Sequence, residues 1–529
     1  MISNVTSRNF KEIPQFSAKD IMYQTGDDAY NGFYKYSAHI ESFQEAIAQR
    51  KNHDVDRRLL ADVLLQQYSK NNPSKNIISK IKSLENSNTF TITTAHQPVL
   101  LLGPLYMVYK ILSTISLCNS LKKHYPEYNF VPIFVSGGED HDLDEVATMH
   151  IFNKDITWHS NQTGSVGRMK LDGIEKVIDQ VSGLFGQTPF ATELSNIIKQ
   201  SFSAANSYGE FNTNLYKSLF SDLGLIVLNM DDEKLKERFL PYAIKEIEDK
   251  ISHKEVTSTQ EKLAEKGIKA QAHVRDINLF YLTKGSRERI IEIDKNYAIG
   301  DQKYSKEELI NLLKQNPGAV SPNVVMRPIY QEIILPNLAY VGGGGEIAYW
   351  LERKSQFEKF NVSYPILVRR NSALIVASGV QKQMNKLGLE VSAYFKSQHD
   401  LTKYYLSQNT ESDYSLSQES GELQSFFNDL ARKVKIVDPS LEKYTLAEGA
   451  KQLKVLKNIS GRMTKAAKVK NEIHLKKLEN IKLRLFPLGT MQERYDNFIP
   501  YYLKYGKEWL GVLLEHLDPL NKDFLILEE

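Results

Sequence analysis

The chain has 529 residues, which is room for several buried cores at about 100–200 residues a domain. Its 67 basic residues nearly balance 64 acidic ones, which argues against a protein that binds nucleic acid along its whole length. Hydrophobic residues make up 41% of the chain and charged residues 25%, so global disorder is excluded. Cys118 is the single cysteine, which excludes an internal disulfide and makes the reducing cytoplasm the expected location.

One apolar segment, residues 99–118, is as long as a membrane span of roughly 20 residues. Gly103 and Pro104 stand near its start and Lys110 near its middle, which suits a buried helix better than a membrane helix. The N-terminal residues have no apolar stretch behind a basic end, so no secretory signal is expected. We therefore predict no membrane partner.

In chain order, residues 1–85 are predicted to be mostly helical. Residues 90–94 (FTITT) and 130–136 (FVPIFVS) are typical of buried strands, and a helix over about 103–123 separates them. Strand, helix and strand in this order predict a βαβ unit. The fold class is therefore α/β with a parallel sheet, to which residues 225–229 and 364–369 add strands.

Two later regions have patterns that differ from those of the predicted parallel sheet. Residues 279–283 and 289–294 flank a Lys-Gly-Ser turn, which predicts a hairpin inside a small β-containing insertion. Residues 451–485 form a long helical stretch with an imperfect coiled-coil stripe. The predicted domains are a parallel-sheet core over 1–377 with an insertion at about 265–320, a helical coiled-coil domain over 378–485, and a helical tail over 486–529 that docks on the core.

The first polar cluster, residues 94–98 (TAHQP), follows the first predicted strand of the sheet and precedes the helix that opens at Gly103. In open α/β sheets ligands bind at this edge, and a helix amino terminus favours phosphate or carboxylate. His96 and Gln97 are thus candidate ligand contacts, although a structural turn with a surface histidine explains the same residues.

The second cluster, residues 137–145 (GGEDHDLDE), follows the second predicted strand and surrounds His141 with carboxylates. These residues could bind Mg²⁺ beside a nucleotide, or Asp140 or His141 could act as a general base. The acidic residues could equally just begin a helix, where they are favoured. A tightly bound transition metal is not expected, because one histidine among carboxylates is a weak site for it.

The third cluster lies within residues 321–350. Arg327 and Gln331 stand in an otherwise apolar run, which is typical of ligand contacts or buried hydrogen-bonding groups. Four glycines then precede a helix near Glu346, either as a flexible loop or as backbone that a ligand approaches closely. The glycines do not form a P-loop; they are Gly342, Gly343, Gly344 and Gly345.

A fourth feature is the basic segment 451–484, with eleven lysines and arginines against two glutamates. A solvated helix face explains it, and a surface for RNA or nucleotide phosphates is the alternative. The segment has no aromatic side chain, which weakens recognition of single strands.

Taken together, these segments resemble the BshC family, the proposed cysteine ligases of bacillithiol biosynthesis. Many members have Gly-Gln-Gln where this chain has Ala95, His96 and Gln97, and a Gly-Gly-Pro-Gly-like pattern in place of its four glycines. The resemblance runs in family order over nearly the whole chain and is carried by GPLYMVYK (103–110), VPIFVSGGEDHDLDEV (131–146), NLFYLTKGSRERI (278–290), SPNVVMRP (321–328), QEIILPNLAYVGGGGEIAYW (331–350) and QERYDN (492–497).

The resemblance implies a Rossmann-like core similar to class I nucleotidyltransferases, with connecting-peptide insertions and a coiled-coil domain that forms a homodimer. The implied reaction joins cysteine to glucosaminyl malate through an amide, and an ATP–Mg²⁺ requirement is left open. Asp140 or His141 would accept the amine proton, and Gly103 with the four glycines would contact a nucleotide. The candidate substrate-binding residues are His96, Gln97, Asn323, Arg327, Gln331 and Glu346.

Two other functions remain open on the sequence. One is an RNA- or nucleotide-binding protein with a synthetase-like core, supported by the basic segment 451–484. The other is a metal-dependent hydrolase that uses residues 139–145.

Overall fold

A computed structural model describes residues 2–71, 73–409 and 415–529. The chain divides into two compact units. The core unit comprises Met1–Leu374 and Gln492–Leu527, and the helical unit comprises Ile375–Met491 with Glu528–Glu529. Within the predicted helical domain, residues 410–414 lie outside the described part of the chain.

The strands in chain order are β1 (Asn4–Arg8), β2 (Thr89–His96), β3 (Asn129–Ser136), β4 (Thr148–Ile151), β5 (Lys154–Thr157), β6 (Ile226–Asn229), β7 (Leu279–Thr283), β8 (Ser286–Ile293), β9 (Asn296–Ile299), β10 (Gln302–Tyr304), β11 (Val320–Pro322), β12 (Asn337–Gly342), β13 (Ile366–Arg369), β14 (Ala373–Val376) and β15 (Phe524–Glu528).

The helices are α1 (Ala18–Gln24), α2 (Ser42–Arg50), α3 (Arg57–Tyr68), α4 (Lys75–Ser83), α5 (Tyr106–His124), α6 (Leu143–Val146), α7 (Ile174–Ser182), α8 (Pro189–Ser203), α9 (Tyr208–Phe220), α10 (Glu233–Asp249), α11 (Ile251–Glu265), α12 (Lys306–Gln315), α13 (Arg327–Ile334), α14 (Gly344–Leu351), α15 (Lys354–Phe360), α16 (Ser378–Lys386), α17 (Gln398–Gln408), α18 (Ser417–Val437), α19 (Ser440–Lys470), α20 (Glu472–Leu485), α21 (Ile499–Tyr505) and α22 (Glu508–His516).

The core unit is organised around a five-stranded sheet of order β13-β12-β2-β3-β6, in which every neighbouring pair is parallel. Counted along the chain, this is the 3-2-1-4-5 order of a Rossmann-like fold. The predicted βαβ unit is confirmed, since β2 and β3 pair in register from Thr89↔Asn129 to His96↔Ser136. The strand order reverses between β2 and β12, so the crevice outside their carboxyl ends is where such folds bind ligands.

The membrane-length apolar run folds into the interior of the core unit. Its helix, α5, is buried along almost its whole length, including the polar residues Lys110, Ser113 and Thr114. Those side chains have partners: the Thr114 hydroxyl donates to the Lys110 carbonyl, and Ser113 donates to Asn371. Of the helices that the structure describes, none has both the length and the apolar character that crossing a membrane requires.

The predicted β-containing insertion is an antiparallel sheet of order β10-β9-β8-β7-β11. The hairpin β7–β8 turns at Lys284-Gly285, where Gly285 has a φ of +95° that a side chain would disfavour. Strand β8 begins at Ser286, three residues before the predicted start, and so brings Arg287 into the sheet.

In the helical unit, α18 and α19 form a hairpin joined by Asp438-Pro439. The two helices run antiparallel, because Lys435 pairs with Glu442 at 2.8 Å and Phe427 lies against Gly449. A Cβ on Gly449 would come within 2.7 Å of the Phe427 ring, so glycine permits the close approach. The long helix predicted over 451–485 is interrupted at Asn471, whose side-chain amide donates to the Ala467 carbonyl.

Candidate active site

A cavity of about 460 Å³ lies at the switch point of the parallel sheet, outside the carboxyl ends of β2, β3, β12 and β13. Widely separated segments of the core unit form its walls. The predicted site residues that line it are His96, Gln97, Asp140, Asn323, Arg327, Gly343, Gly344, Gly345 and Glu346.

The other predicted site residues lie elsewhere. Gly103 is in a tight turn, where its carbonyl accepts a 2.7 Å hydrogen bond from the Asn497 side chain. Gln331 is buried behind the cavity wall and donates to Glu332 at 2.9 Å. Gly342 is the last residue of β12, and the half-exposed ring of His141 lies beside Arg287 at 3.3 Å.

His96 ends β2 and is held between two neutral partners. Its Nδ1 lies 3.1 Å from the Gln97 carbonyl, which can only accept, so Nδ1 carries the hydrogen. Its Nε2 then accepts from the Tyr106 hydroxyl at 3.1 Å. Burial and the nearby Lys110 lower the pKa of His96 to about 4, so the imidazole is neutral at physiological pH. His96 therefore fixes the orientation of Tyr106.

Glu346 is a fixed carboxylate in the first turn of α14. Its Oε1 accepts from Lys110 Nζ at 2.7 Å and from the Tyr340 hydroxyl at 2.5 Å, and its Oε2 accepts from the Gly343 N–H at 2.9 Å. Burial alone would raise the pKa of Glu346, but the ammonium of Lys110 lowers it to about 2. The pair locks the glycine turn onto α5.

Arg327 begins α13 and contributes a partly buried cation whose hydrogen-bond partners are neutral. Its guanidinium donates to Gln331 Oε1 at 3.1 Å and to the Tyr349 hydroxyl at 3.0 Å. Within the described ranges, no carboxylate forms a salt bridge with it. Burial opposes the charge, but the nearby Tyr349, Tyr340 and Glu346 raise the pKa of Arg327 above its ordinary value, so the guanidinium stays charged. It can therefore bind an anionic ligand in the cavity.

Asp140 faces the cavity between two donors. Gln97 donates to its Oδ2 at 2.5 Å, and Arg287 donates to its Oδ1 at 3.3 Å. Glu139 and Glu145 also line the cavity, and Glu139 pairs with Lys236 at 2.6 Å. Asp142 instead caps α6. Of the residues that the structure describes, no three His, Cys, Asp or Glu side chains gather in a geometry that could hold a metal ion.

Several residues that line the cavity were not predicted from the sequence. Arg287 comes from the insertion, 147 residues after its partner Asp140, and only its place in the segment NLFYLTKGSRERI could have drawn attention to it. Arg370 directly follows a predicted strand end, which is a usable signal, and pairs with Glu493 at 2.7 Å. Tyr106, Tyr349 and Arg494 also line the cavity.

The sheet order and the switch-point cavity define the core unit as a Rossmann-like ligand-binding domain. The family described as "Bacillithiol biosynthesis BshC, N-terminal Rossmann-like domain" matches residues 7–371. The family described as "Bacillithiol biosynthesis BshC, C-terminal coiled-coil domain" matches residues 373–529. The chain belongs to the BshC family, which confirms the resemblance seen in the sequence.

Curated relatives agree along the full length. The chain is 36% identical to the "Putative cysteine ligase BshC" of Christiangramia forsetii, covering 98% of each chain. It is also 36% identical to the protein of the same name from Flavobacterium johnsoniae, over 93% of this chain and 94% of that one. The relative from Geobacillus kaustophilus is 29% identical, over 97% and 98%. These names indicate that the enzyme is a ligase.

Proposed function

We propose that this protein is the ligase that joins L-cysteine to glucosaminyl malate, forming an amide at the sugar amine in the last step of bacillithiol biosynthesis. We further propose that it works in the cytoplasm. Membership of the BshC family supports the pathway, and the names of the relatives support the enzyme class. The observation that supports the choice of substrate is the guanidinium of Arg327, which lines the switch-point cavity and has hydrogen-bond partners that are neutral.

Arg327 suits the malate part of the proposed substrate. Malate attached through its hydroxyl keeps two carboxylates, and a guanidinium can bind a carboxylate through two parallel hydrogen bonds. Gln331 and Tyr349 hold the guanidinium without neutralising it, so its charge stays available to a ligand. Asn323 and Gln97 line the same cavity and add polar contacts.

Amide formation from a free carboxylate needs activation, because a carboxylate is a poor electrophile. The proposed activating cosubstrate is ATP with Mg²⁺. It would convert the cysteine carboxylate into an adenylate with release of pyrophosphate, or into an acyl phosphate with release of ADP, and attack by the sugar amine would then release AMP or phosphate. Gly343, Gly344 and Gly345 would contact it, since they line the cavity and a Cβ on Gly345 would meet only open space.

Asp140 is the proposed acceptor for the amine proton. Gln97 and Arg287 hold its carboxylate at the cavity wall, where a substrate amine can reach it. His141 is the weaker candidate, because its ring is half-exposed and does not line the cavity.

The test is direct. Purified protein is incubated with cysteine and glucosaminyl malate, with and without ATP–Mg²⁺, and the thiol product is followed by mass. Product that requires ATP supports both the ligase and its cosubstrate. Product that forms without ATP supports the ligase activity but excludes ATP as the cosubstrate. Absence of product under both conditions overturns the proposed function. If Asp140→Ala and Arg327→Ala fold and keep full activity, the assignment of the site is wrong.

We also propose that the helical unit forms a homodimer. Its helices expose large apolar side chains to solvent, which is typical of an interaction surface. Light scattering should give twice the monomer mass, and Val455→Glu with Ile459→Glu should shift it to the monomer mass; a monomeric wild-type protein would overturn the proposal. The exposed side chains include Ile436, Val437, Tyr444, Val455, Ile459, Val469 and Ile473.

A further inference from the structure

A second cavity of about 280 Å³ adjoins the first in the core unit. His96, Tyr106, Glu145 and Arg494 line both cavities, so these side chains form a shared wall. The second cavity is near the lower end of the volumes typical of small-molecule sites, roughly 300–1,000 Å³. It can hold a ligand smaller than the one that the first cavity holds.

The lining of the second cavity carries both signs of charge. Asp144 and Glu145 contribute carboxylates, and Arg494 contributes a guanidinium. In the described part of the chain, no side chain pairs with the Arg494 guanidinium. Val99 and Met149 supply an apolar wall. A lining of this kind suits a small zwitterion with an apolar or thiol side chain.

The segment that presents Arg494 also fixes the adjoining wall. Leu101 and Leu102 both have positive φ values, 46° and 65°, which are uncommon for residues other than glycine. The Asn497 side chain donates to the Leu101 carbonyl at 3.1 Å, and the Leu105 N–H donates to the Asp496 carbonyl at 2.6 Å. The segment that carries Arg494 therefore also holds the turn at Leu101 and Leu102 in place, so specific hydrogen bonds fix this wall of the cavity.

We propose that the second cavity binds the amino-acid substrate as a zwitterion, while the first cavity binds the anionic sugar substrate. The ammonium faces Asp144 and Glu145, the carboxylate faces Arg494, and the side chain packs against Met149. Because Arg494 lines both cavities, the carboxylate that must react lies at their junction. The identity of the amino acid as cysteine rests on the proposed function.

The test compares three thiols by calorimetry on the full chain under reducing conditions: L-cysteine, cysteamine, which lacks the carboxylate, and 3-mercaptopropionate, which lacks the ammonium. Asp144 lines only the second cavity and is exposed, so Asp144→Asn leaves the fold intact. This substitution should lower the affinity for cysteine and cysteamine about fivefold to tenfold, which is the effect of losing one charge contact. The affinity for 3-mercaptopropionate should be unchanged. Arg327→Gln, which alters only the first cavity, should leave cysteine affinity within about twofold.

Three results would overturn this inference: wild-type protein that does not bind cysteine, Asp144→Asn that binds all three thiols as wild type does, or cysteine binding lost in Arg327→Gln alone. The proposed function fails separately. If the three thiols bind with the expected affinities but no amide product forms, the amino-acid site is supported and the ligase reaction is excluded. If product forms and the cysteine KM is the same in Asp144→Asn and wild type, the ligase reaction is supported and the proposed amino-acid site is excluded.

Discussion

Some lysines of the core unit have environments opposite to those of lysines in the helical unit. In the core unit, Lys110 and Lys236 are fully buried, and each is paired with a carboxylate. In the helical unit, Lys451 and Lys476 are mostly exposed, and their partners Glu448 and Glu472 lie one helical turn away. The near-zero net charge of the chain conceals both arrangements.

The difference matters because burial decides what a charge contributes. A buried ion pair that loses one partner leaves an uncompensated charge, whereas an exposed pair is replaced by water. Neutralising a buried charge of the core unit should therefore destabilise the protein, whereas neutralising an exposed charge in either unit should be tolerated.

The largest effect is expected at Glu493, which is fully buried. Its carboxylate accepts from Arg370 at 2.7 Å, from Ser372 at 2.9 Å and from the Ala373 N–H at 3.2 Å. Glu493→Ala should lower the free energy of unfolding by about 3–5 kcal/mol, because Arg370 stays buried without its salt-bridge partner. Urea denaturation followed by circular dichroism measures the change.

The matched control is Glu472→Ala, which breaks an exposed pair with Lys476. Its unfolding midpoint should equal that of the wild-type protein. Equal losses in the two variants would contradict the contrast between the units.

The next effect is on catalysis. Arg327→Gln should lower kcat/KM for glucosaminyl malate about 100-fold, the loss of one charge-assisted contact worth roughly 2–3 kcal/mol. Most of the loss should be in KM, because Arg327 is proposed to bind the substrate. The control is Arg289→Gln, since Arg289 stacks 4.5 Å from the Phe280 ring and does not line the cavity. Wild-type kinetics for Arg327→Gln would place the anionic substrate elsewhere.

A third effect depends on pH through Glu346. Its pKa is about 2 in the folded protein against an ordinary value of 4.5, so the folded state favours the ionised form. The stability that this contact supplies is complete above pH 4.5 and is lost as the pH falls towards about 2. Acid titration of the wild-type protein and Glu346→Gln should show a stability advantage that shrinks over this window. A constant difference between the two proteins would exclude Glu346 as the titrating group.

A smaller effect is expected at His96. A glutamine at this position can accept the Tyr106 hydroxyl through its carbonyl oxygen, so His96→Gln should keep kcat within a few-fold, and His96→Leu should lose more. Because the pKa of His96 is about 4, its charge does not change between pH 5 and 8. The kcat profiles of wild type and His96→Gln should be parallel there, and an inflection present in the wild type alone would assign a proton-transfer role to His96.

The smallest effect is expected on the basic segment of the helical unit. Lys465 and Lys470 are exposed, so Lys465→Gln with Lys470→Gln should leave kcat and both KM values unchanged. Filter binding of RNA over a range of salt is the companion measurement. RNA binding that is steeply salt-dependent in the wild-type protein and lost in the double variant would favour the RNA-binding alternative.

Local patterns predicted much of the core unit. Short buried runs around an apolar helix gave β2, α5 and β3, and a Lys-Gly-Ser turn located the insertion. Strand β12 was missed, because its apolar residues continue the pattern of α13 and Pro336 is the only break between them. The order of the strands depends on contacts distant in sequence, which local periodicity does not encode.

Only part of the candidate site could be predicted, because some of its residues come together through contacts that are distant in sequence. Residues at or just after strand ends, such as His96, Asp140 and Arg370, can be located once the strands are known. Arg287 could not be placed in the cavity, since it comes from an inserted hairpin that packs back over the sheet edge. The partners of the grouped carboxylates were also beyond prediction. Glu139 and Asp140 both line the cavity, but Glu139 pairs with Lys236 and Asp140 with Arg287, both of which are distant in sequence.

The contact between Asn497 and the turn at Leu101 has a consequence for the order of synthesis. The two residues are separated by 396 positions, so the strand that carries His96 leaves the ribosome long before its support does. A nascent chain that has not reached Asn497 lacks both the clamp on that turn and the guanidinium of Arg494. The enzyme is therefore expected to gain its complete binding surface only near the end of translation, and a chain that terminates before Asn497 should lack the complete site.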